Sequence, residues 1–545
     1  MTDILALIKE SDKNLFVGLA GPGTGKSTAF KTIIDSDQYR GKKILILSFI
    51  KKLIKDLESD FEDYKNVEVS TLHSFAKKEI DKHIKTAVDL DENLDKIISY
   101  DYAYLEGAPI EFDKKLFTGK LSQSEEKFYK ERAAFYSRGK ALYSFNSVIY
   151  AINRIFGRDE KKIPAQYDLI LIDEVQDFNQ LEFDFIAYLN SSNRIMLVGD
   201  DDQSLYGWKN AVPQLIRDLY NNVDSDEFTL DYCYRCTEVI VSAVNDLILN
   251  TKTDGFLAER LDTKKFKYPS GNKAKDEISS KFKHIDFIPA VSGSQLFYQL
   301  ASRIKSDTAD DISKRVLVLV PAYYKQKMYE GLVKERLNVV EFELFSDEKH
   351  LKFKHKYIVD CFEVLDVRKT DNLALRKILH YYLSKAAIEE LIKKGCKLKT
   401  LWGCLDDDTK KLIESDINLF RKVRTGKLVL TTKELNRLSK IFNLKNVLSK
   451  MIKGFGAHTK GALEIEITTV MSSKGLSADF VYFVGVDNYV MYDQESGKLT
   501  NHGICEFLVG LTRAKEKVTL FSFKENSPKF VEYIGKHVKT ISVNT

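Results

Sequence analysis

Apolar positions along this chain gather into short runs separated by polar, helix-patterned stretches. Phe16 to Ala20, Lys43 to Ser48, Tyr167 to Ile172 and Arg194 to Gly199 are such runs in the first half, and each reads as a strand. From Phe16 to Ser48 the order is strand, glycine-rich loop, helix, strand, a βαβ unit that requires a parallel sheet. Between His73 and Pro164 the pattern changes to charged and aromatic residues at helical spacing, as in Glu125-Glu126-Lys127-Phe128-Tyr129-Lys130-Glu131-Arg132, which predicts an inserted helical subdomain. A second set of strands is predicted at Arg315 to Pro321, Glu464 to Val470, Phe480 to Val486 and Lys517 to Ser522, interrupted by amphipathic sequence such as Asn372-Leu373-Ala374-Leu375-Arg376-Lys377-Ile378-Leu379. The expected fold is α/β, with two parallel-sheet cores, each interrupted by a mainly helical inserted subdomain. The expected boundaries are 1–75 and 166–230 for the first core, 76–165 for its insertion, 231–365 and 456–545 for the second core, and 366–455 for a reduced second insertion.

Composition narrows the class. At 545 residues the chain exceeds one hydrophobic core, and 44% hydrophobic with 30% charged residues is the balance of an ordinary soluble globular protein. No apolar run approaches the ~18 residues that span a bilayer. The opening Met1-Thr2-Asp3 has no basic signal head, so a cytoplasmic protein without a membrane partner is expected. A net charge of +5 permits a nucleic-acid partner through local basic stripes without demanding one. The 6 cysteines lack a disulfide framework or a four-cysteine metal spacing. Cys233 and Cys236 form a C-x-x-C with no second ligand pair after it, so they are expected to be two reduced thiols.

The chemistry is written first in Ala20-Gly21-Pro22-Gly23-Thr24-Gly25-Lys26-Ser27-Thr28, directly after an apolar run. Small residues there let backbone N–H groups wrap phosphates, Lys26 neutralises β/γ charge, and Ser27 offers a hydroxyl to Mg²⁺. Leu169 to Ile172 ends in Asp173-Glu174, where Asp173 suits the metal's water shell and Glu174 suits orienting or deprotonating an attacking water. Together the two strings predict a nucleoside triphosphatase using Mg²⁺.

Further segments follow in order: Leu47 to Lys52; Thr71-Leu72-His73-Ser74-Phe75; Asp173-Glu174-Val175-Gln176-Asp177; Val198 to Ala211, with Gln203-Ser204-Leu205-Tyr206-Gly207-Trp208; Leu230 to Arg235; Thr469 to Leu476; and Val509-Gly510-Leu511-Thr512-Arg513-Ala514-Lys515. In this order they resemble a superfamily 1 helicase of the UvrD/Rep/PcrA group, over roughly residues 15 to 525. The resemblance implies two RecA-like cores and an ATP-dependent motor that tracks 3′-to-5′ along single-stranded DNA and unwinds duplex at single-strand/double-strand junctions. It implies that Gln203 senses the γ-phosphate, that Arg235 and Arg513 are arginine fingers, that Tyr234 stacks on adenine, and that Gly475 lies at the nucleotide. Phe49, Tyr206 and Trp208 are the implied base-stacking residues, a role aromatic rings fill without sequence preference, and Thr71 and His73 are implied to touch the strand. On its own a tryptophan at the spacing of Trp208 is more often core, and for Phe49 a core position is equally natural.

Several positions depart from the family pattern. No glutamine precedes Gln38, where members carry one that reads adenine; Thr28 stands where many have arginine; Met471 and Ser477 replace the usual His and Glu; and His502-Gly503-Ile504-Cys505 replaces a Glu-Glu-Arg-Arg run. None removes a residue that hydrolysis requires. The compact layout also resembles, at the level of fold, the helicase-like subunit of the bacterial Gabija antiphage system. That likeness keeps a second reading open: a DNA-sensing ATPase subunit that regulates a nuclease in a defence or repair complex, with a protein partner and little unwinding alone.

Overall fold

The computed structural model describes residues 2–48, 57–137, 139–164, 166–205, 211–340, 355–398, 400–424, 437, 463–487, 491–492, 498–524 and 528–542. The chain divides into two compact units, one of Met1–Phe75, Asn153–Glu341 and Lys460–Thr545, the other of Ala76–Ile152 and Phe342–Thr459.

The first unit holds two sheets whose ladders are all parallel. One has the order Val67–Thr71, Ile44–Ser48, Leu169–Asp173, Ile195–Gly199, Leu15–Ala20, Ser225–Leu230. Its inner strands are buried along their length, which explains their unbroken apolar character. The second sheet runs Val339–Val340, Glu464–Thr468, Arg315–Leu319, Ala478–Val484, Ala514–Phe521, Ile285–Ile288, Val538–Thr540. Parallel pairing places all the carboxyl ends of a sheet on one edge, and that is where phosphate loop, Asp173 and Gly199 meet. These are the two RecA-like cores. Leu205, at the end of the turn after the strand Ile195–Gly199, packs into the hydrophobic cluster of the second core with Cys233, Leu317, Val470 and Ile504.

The second unit is helical and draws on both inserted segments, which share one hydrophobic core. Ile97, Ile98, Phe112 and Tyr136 from the first segment pack with Phe362, Leu375, Ile392 and Ile417 from the second. Buried charge joins them as well: Asp101 accepts from Arg132 Nε (3.0 Å) and the Tyr136 hydroxyl (2.5 Å), with Arg376 Nε at 3.4 Å, and Lys377 donates to Asp91 (2.5 Å). Each carboxylate so buried is matched by a cation, the condition under which such charges are tolerated. Among the described residues no helix is long and apolar enough to cross a membrane.

Candidate active site

The strand Leu15–Ala20 delivers the chain into the loop Gly21 to Gly25, and the helix Lys26–Asp35 starts where Gly25 adopts φ 86°. Gly23 also has positive φ (69°), and a Cβ there would fall 2.4 Å from Cβ of Arg235, so glycine is needed both for backbone angle and for that close approach. Thr24 turns its hydroxyl inward to the Gly21 carbonyl (2.9 Å). Ala20 and Pro22 are buried beneath the loop, Ser27 is half-buried at the head of the helix, and Thr28 is exposed. The Tyr234 N–H donates to the Gly23 carbonyl (2.8 Å), which sets the Tyr234 ring, 57% exposed, beside the loop.

Lys26 Nζ lies 2.9 Å from Glu174 Oε1 and 3.6 Å from Asp173 Oδ1. Burial alone would lower its pKa, but the two carboxylates overcome this and hold it above the usual lysine value. Burial pushes Asp173 up to about 6, opposed by Lys26 and reinforced by Glu174. Glu174 goes the other way despite its burial, because Lys26 and Lys474 hold it below the usual range. Glu174 has φ 58°, a left-handed conformation costing ~1–3 kcal/mol for a non-glycine residue, of the kind that accumulates at functional sites. Ser27 and Asp173 supply hard oxygen ligands, which fit Mg²⁺.

Gln176 bridges this acid to the next strand. Its Nε2 donates to Glu174 Oε2 (2.7 Å) and its Oε1 accepts from the Asp200 N–H (2.9 Å). A Cβ on Gly199 would stand 2.7 Å from that Oε1, so glycine is required there too. Gln203 Nε2 donates to Asp200 Oδ2 (2.6 Å), and Gln203 Oε1 accepts from Arg513 Nη2 (3.1 Å). Arg513 is otherwise tied to the carbonyls of Val509 (3.0 Å) and Leu476 (3.3 Å), beside Gly475, whose φ is 82°. Burial, and then the nearby Arg235, push Arg513 down to about 9. Arg235 donates to the Thr512 carbonyl (3.3 Å), so both arginines converge on one turn facing the phosphate loop.

The glycine-rich loop, the acid pair Asp173 and Glu174, Gln203 and two arginines therefore stand together. An AAA domain model matches residues 4–209. Three relatives extend the likeness. A "Probable DNA helicase II homolog" of Mycoplasma capricolum is 24% identical over 95% of this chain and 83% of its own length. The "ATP-dependent DNA helicase Rep" of Buchnera aphidicola is 23% identical over 92% of this chain and 91% of its own. A "Probable DNA helicase II homolog" of Mycoplasma genitalium is 24% identical over 68% of this chain, a match spanning 57% of that relative. The chain is similar to UvrD/Rep-type superfamily 1 helicases over most of its length. It is an ATP-hydrolysing enzyme.

The structure brings Lys26, Asp173, Glu174, Gln203, Tyr234, Arg235, Gly475 and Arg513 into one region. It gives Thr71 and His73 partners of their own: the Thr71 hydroxyl accepts from the Ser74 N–H (3.0 Å) at the start of the helix Leu72–Ile84, and His73 Nε2 lies 3.2 Å from Glu182. Phe49, Tyr206 and Trp208 lie outside the described residues. Cys233 and Cys236 are free thiols, both buried, and Cys236 Sγ approaches the Thr512 carbonyl at 3.8 Å. Sequence reasoning assigned no role to Gln176 or Lys474. Lys474 Nζ reaches Asp177 (2.5 Å), the Gln203 carbonyl (2.6 Å) and Glu174 (3.6 Å). Despite that partner, burial pushes Asp177 up to about 7. Both residues sit inside quoted segments, and their place beside Asp173-Glu174 and Gly475 was the available signal.

Proposed function

We propose that the protein is an ATP- and Mg²⁺-dependent motor that moves 3′-to-5′ along single-stranded DNA and separates duplex at single-strand/double-strand junctions. The observation that carries this reading is Gln203, held by Asp200 of the first core through its amide N–H and by Arg513 of the second core through its amide oxygen. A sensor bound from both cores changes its partners when a γ-phosphate enters or leaves, and so converts hydrolysis into relative movement of the cores. Ser27 and Asp173 would hold Mg²⁺, which would supply charge neutralisation at the phosphates. Lys26 binds the phosphates, Glu174 takes up the proton of the attacking water, and Arg235 and Arg513 offset charge on the transferred phosphoryl group. Tyr234 offers an exposed ring to the adenine. Phe49, Tyr206 and Trp208 grip bases by stacking, each worth ~1–3 kcal/mol.

The test is steady-state ATP hydrolysis by the purified chain without DNA, with single-stranded DNA and with duplex, beside unwinding of a tailed duplex. Strong single-strand stimulation with unwinding from a 3′ tail supports the motor. DNA-independent turnover without unwinding refutes it and favours a regulatory ATPase subunit that acts with a protein partner.

A further inference from the structure

The turn Asp200-Asp201-Asp202 carries three buried carboxylates whose oxygens lie close enough together to hold a metal ion. A side chain of the protein stands there instead. Lys264, only 5% exposed, points its ammonium into the cluster, contacting Asp200, Asp201 (2.9 Å) and Asp202 (2.7 Å). Arg260 adds a contact to Asp202 (2.9 Å) and Arg217 one to Asp201 (3.2 Å). The segment carrying Lys264 belongs to the second-core side: Lys267 bridges to Tyr232, and the Phe266 carbonyl accepts from Asn245 on the helix Glu238–Thr253, which packs in the second-core cluster.

Only Lys264 among these cations touches the carboxylate that holds the sensor. Asp200 Oδ1 faces Lys264, while Oδ2 accepts from Gln203 Nε2 (2.6 Å). An amide whose NH₂ is held by a carboxylate must turn its oxygen outward, and that oxygen meets Arg513. Resting on the motor reading above, we infer that Lys264 is a positioning residue for ATP hydrolysis: through Asp200 it fixes which end of the Gln203 amide faces Arg513 and the γ-phosphate. The chain Lys264, Asp200, Gln203, Arg513 thus begins and ends on the second core and passes through the first.

The experiment compares Lys264→Met, Lys264→Arg and Arg260→Met in ATPase kinetics, MgATP binding and thermal melting. Arg260 is a largely enclosed cation of the same cluster without the contact to Asp200, so Arg260→Met reports what loss of a cluster cation costs the fold alone. The expected result is that both methionine variants melt earlier. Only Lys264→Met should lower kcat, by about tenfold or more, with KM for ATP changed by less than about threefold; Lys264→Arg should recover part of kcat. Lys264→Met/Asp202→Asn, which removes one stranded charge, is expected to regain melting temperature without regaining kcat. If Lys264→Met keeps wild-type kcat, or if Arg260→Met and Lys264→Met lose kcat equally, the positioning role is overturned. Absence of turnover in the wild-type chain would refute the motor reading instead.

Discussion

Arg513 and Gln203, 310 residues apart in sequence, meet at 3.1 Å and so join the end of the second core's helix Asn501–Leu511 to the turn that follows a first-core strand. The guanidinium is buried and hydrogen-bonded to two carbonyls besides Gln203, which fix its position. Removing it should leave ATP binding and take away transition-state charge stabilisation. Arg513→Ala is expected to lower kcat by ~10³–10⁵ while fluorescent-nucleotide binding stays near wild type. Arg513→Lys should recover little, since an ammonium cannot reproduce the fork that holds both carbonyls and the amide.

Glu174 is the residue most exactingly placed, by its backbone angle, by Lys26 and by Gln176. Glu174→Gln is expected to bind MgATP and fail to turn it over, giving a stoichiometric, unhydrolysed nucleotide complex on rapid filtration. Gln176→Ala should reduce kcat by about tenfold to a hundredfold with ATP affinity retained, because it frees the Glu174 carboxylate and the Asp200 N–H together.

How far the sequence reaches is clear from such residues. The strands Leu15–Ala20, Ile44–Ser48, Leu169–Asp173 and Ile195–Gly199 are legible as apolar runs because both their faces are buried. Ser225–Leu230 is only partly buried and reads Ser-Asp-Glu-Phe-Thr-Leu, so no apolar run announces that it pairs with the phosphate-loop strand. Lys26, Asp173 and Glu174 stand out because their chemistry needs neighbours close in sequence, and Arg513 only because its segment resembles a known motif. Lys264 does not, because its partners lie more than 60 residues earlier and a lysine in a Lys-rich stretch looks solvated. The shared core of the two helical insertions is illegible for the same reason: nothing local in Asn372 to Leu379 tells that it packs against Tyr136.

Gly199 tests the crowding behind Gln176. A methyl group there would meet Gln176 Oε1 and Ile216 Cδ1, each at 2.7 Å. Gly199→Ala is expected to lower stability by about 1–3 kcal/mol in urea unfolding and to reduce kcat more than Gln176→Ala does, since it displaces both Gln176 and the start of the Asp200 turn.

The helix Asn501–Leu511 carries a pH dependence. Burial pushes the Glu506 carboxyl up to about 7 from 4.5, and it also pushes its neighbour His502, 3.9 Å away, down. The folded protein keeps a proton that the unfolded chain releases near 4.5, so ionising Glu506 costs stability progressively as pH rises from about 4.5 to about 7, and the loss persists above that. Glu506→Gln should therefore be more stable to urea than wild type at pH 8, by up to about 3 kcal/mol, with the gain fading toward pH 5. A gain that is larger at pH 5 than at pH 8 would reverse the sign.

Trp208 separates base grip from hydrolysis. Trp208→Ala is expected to keep basal ATP turnover and lose stimulation by single-stranded DNA, read by the same assay with and without an oligothymidylate.

The most direct measurement is ATP-dependent displacement of streptavidin from single-stranded DNA biotinylated at one end or the other. A motor moving 3′-to-5′ should clear streptavidin from the 5′ end and leave the 3′ end occupied, with Lys26→Ala clearing neither. Displacement from the 3′ end alone, or none from either end while ATP is consumed, would contradict the coupling of Gln203 and Arg513 to directed movement on DNA.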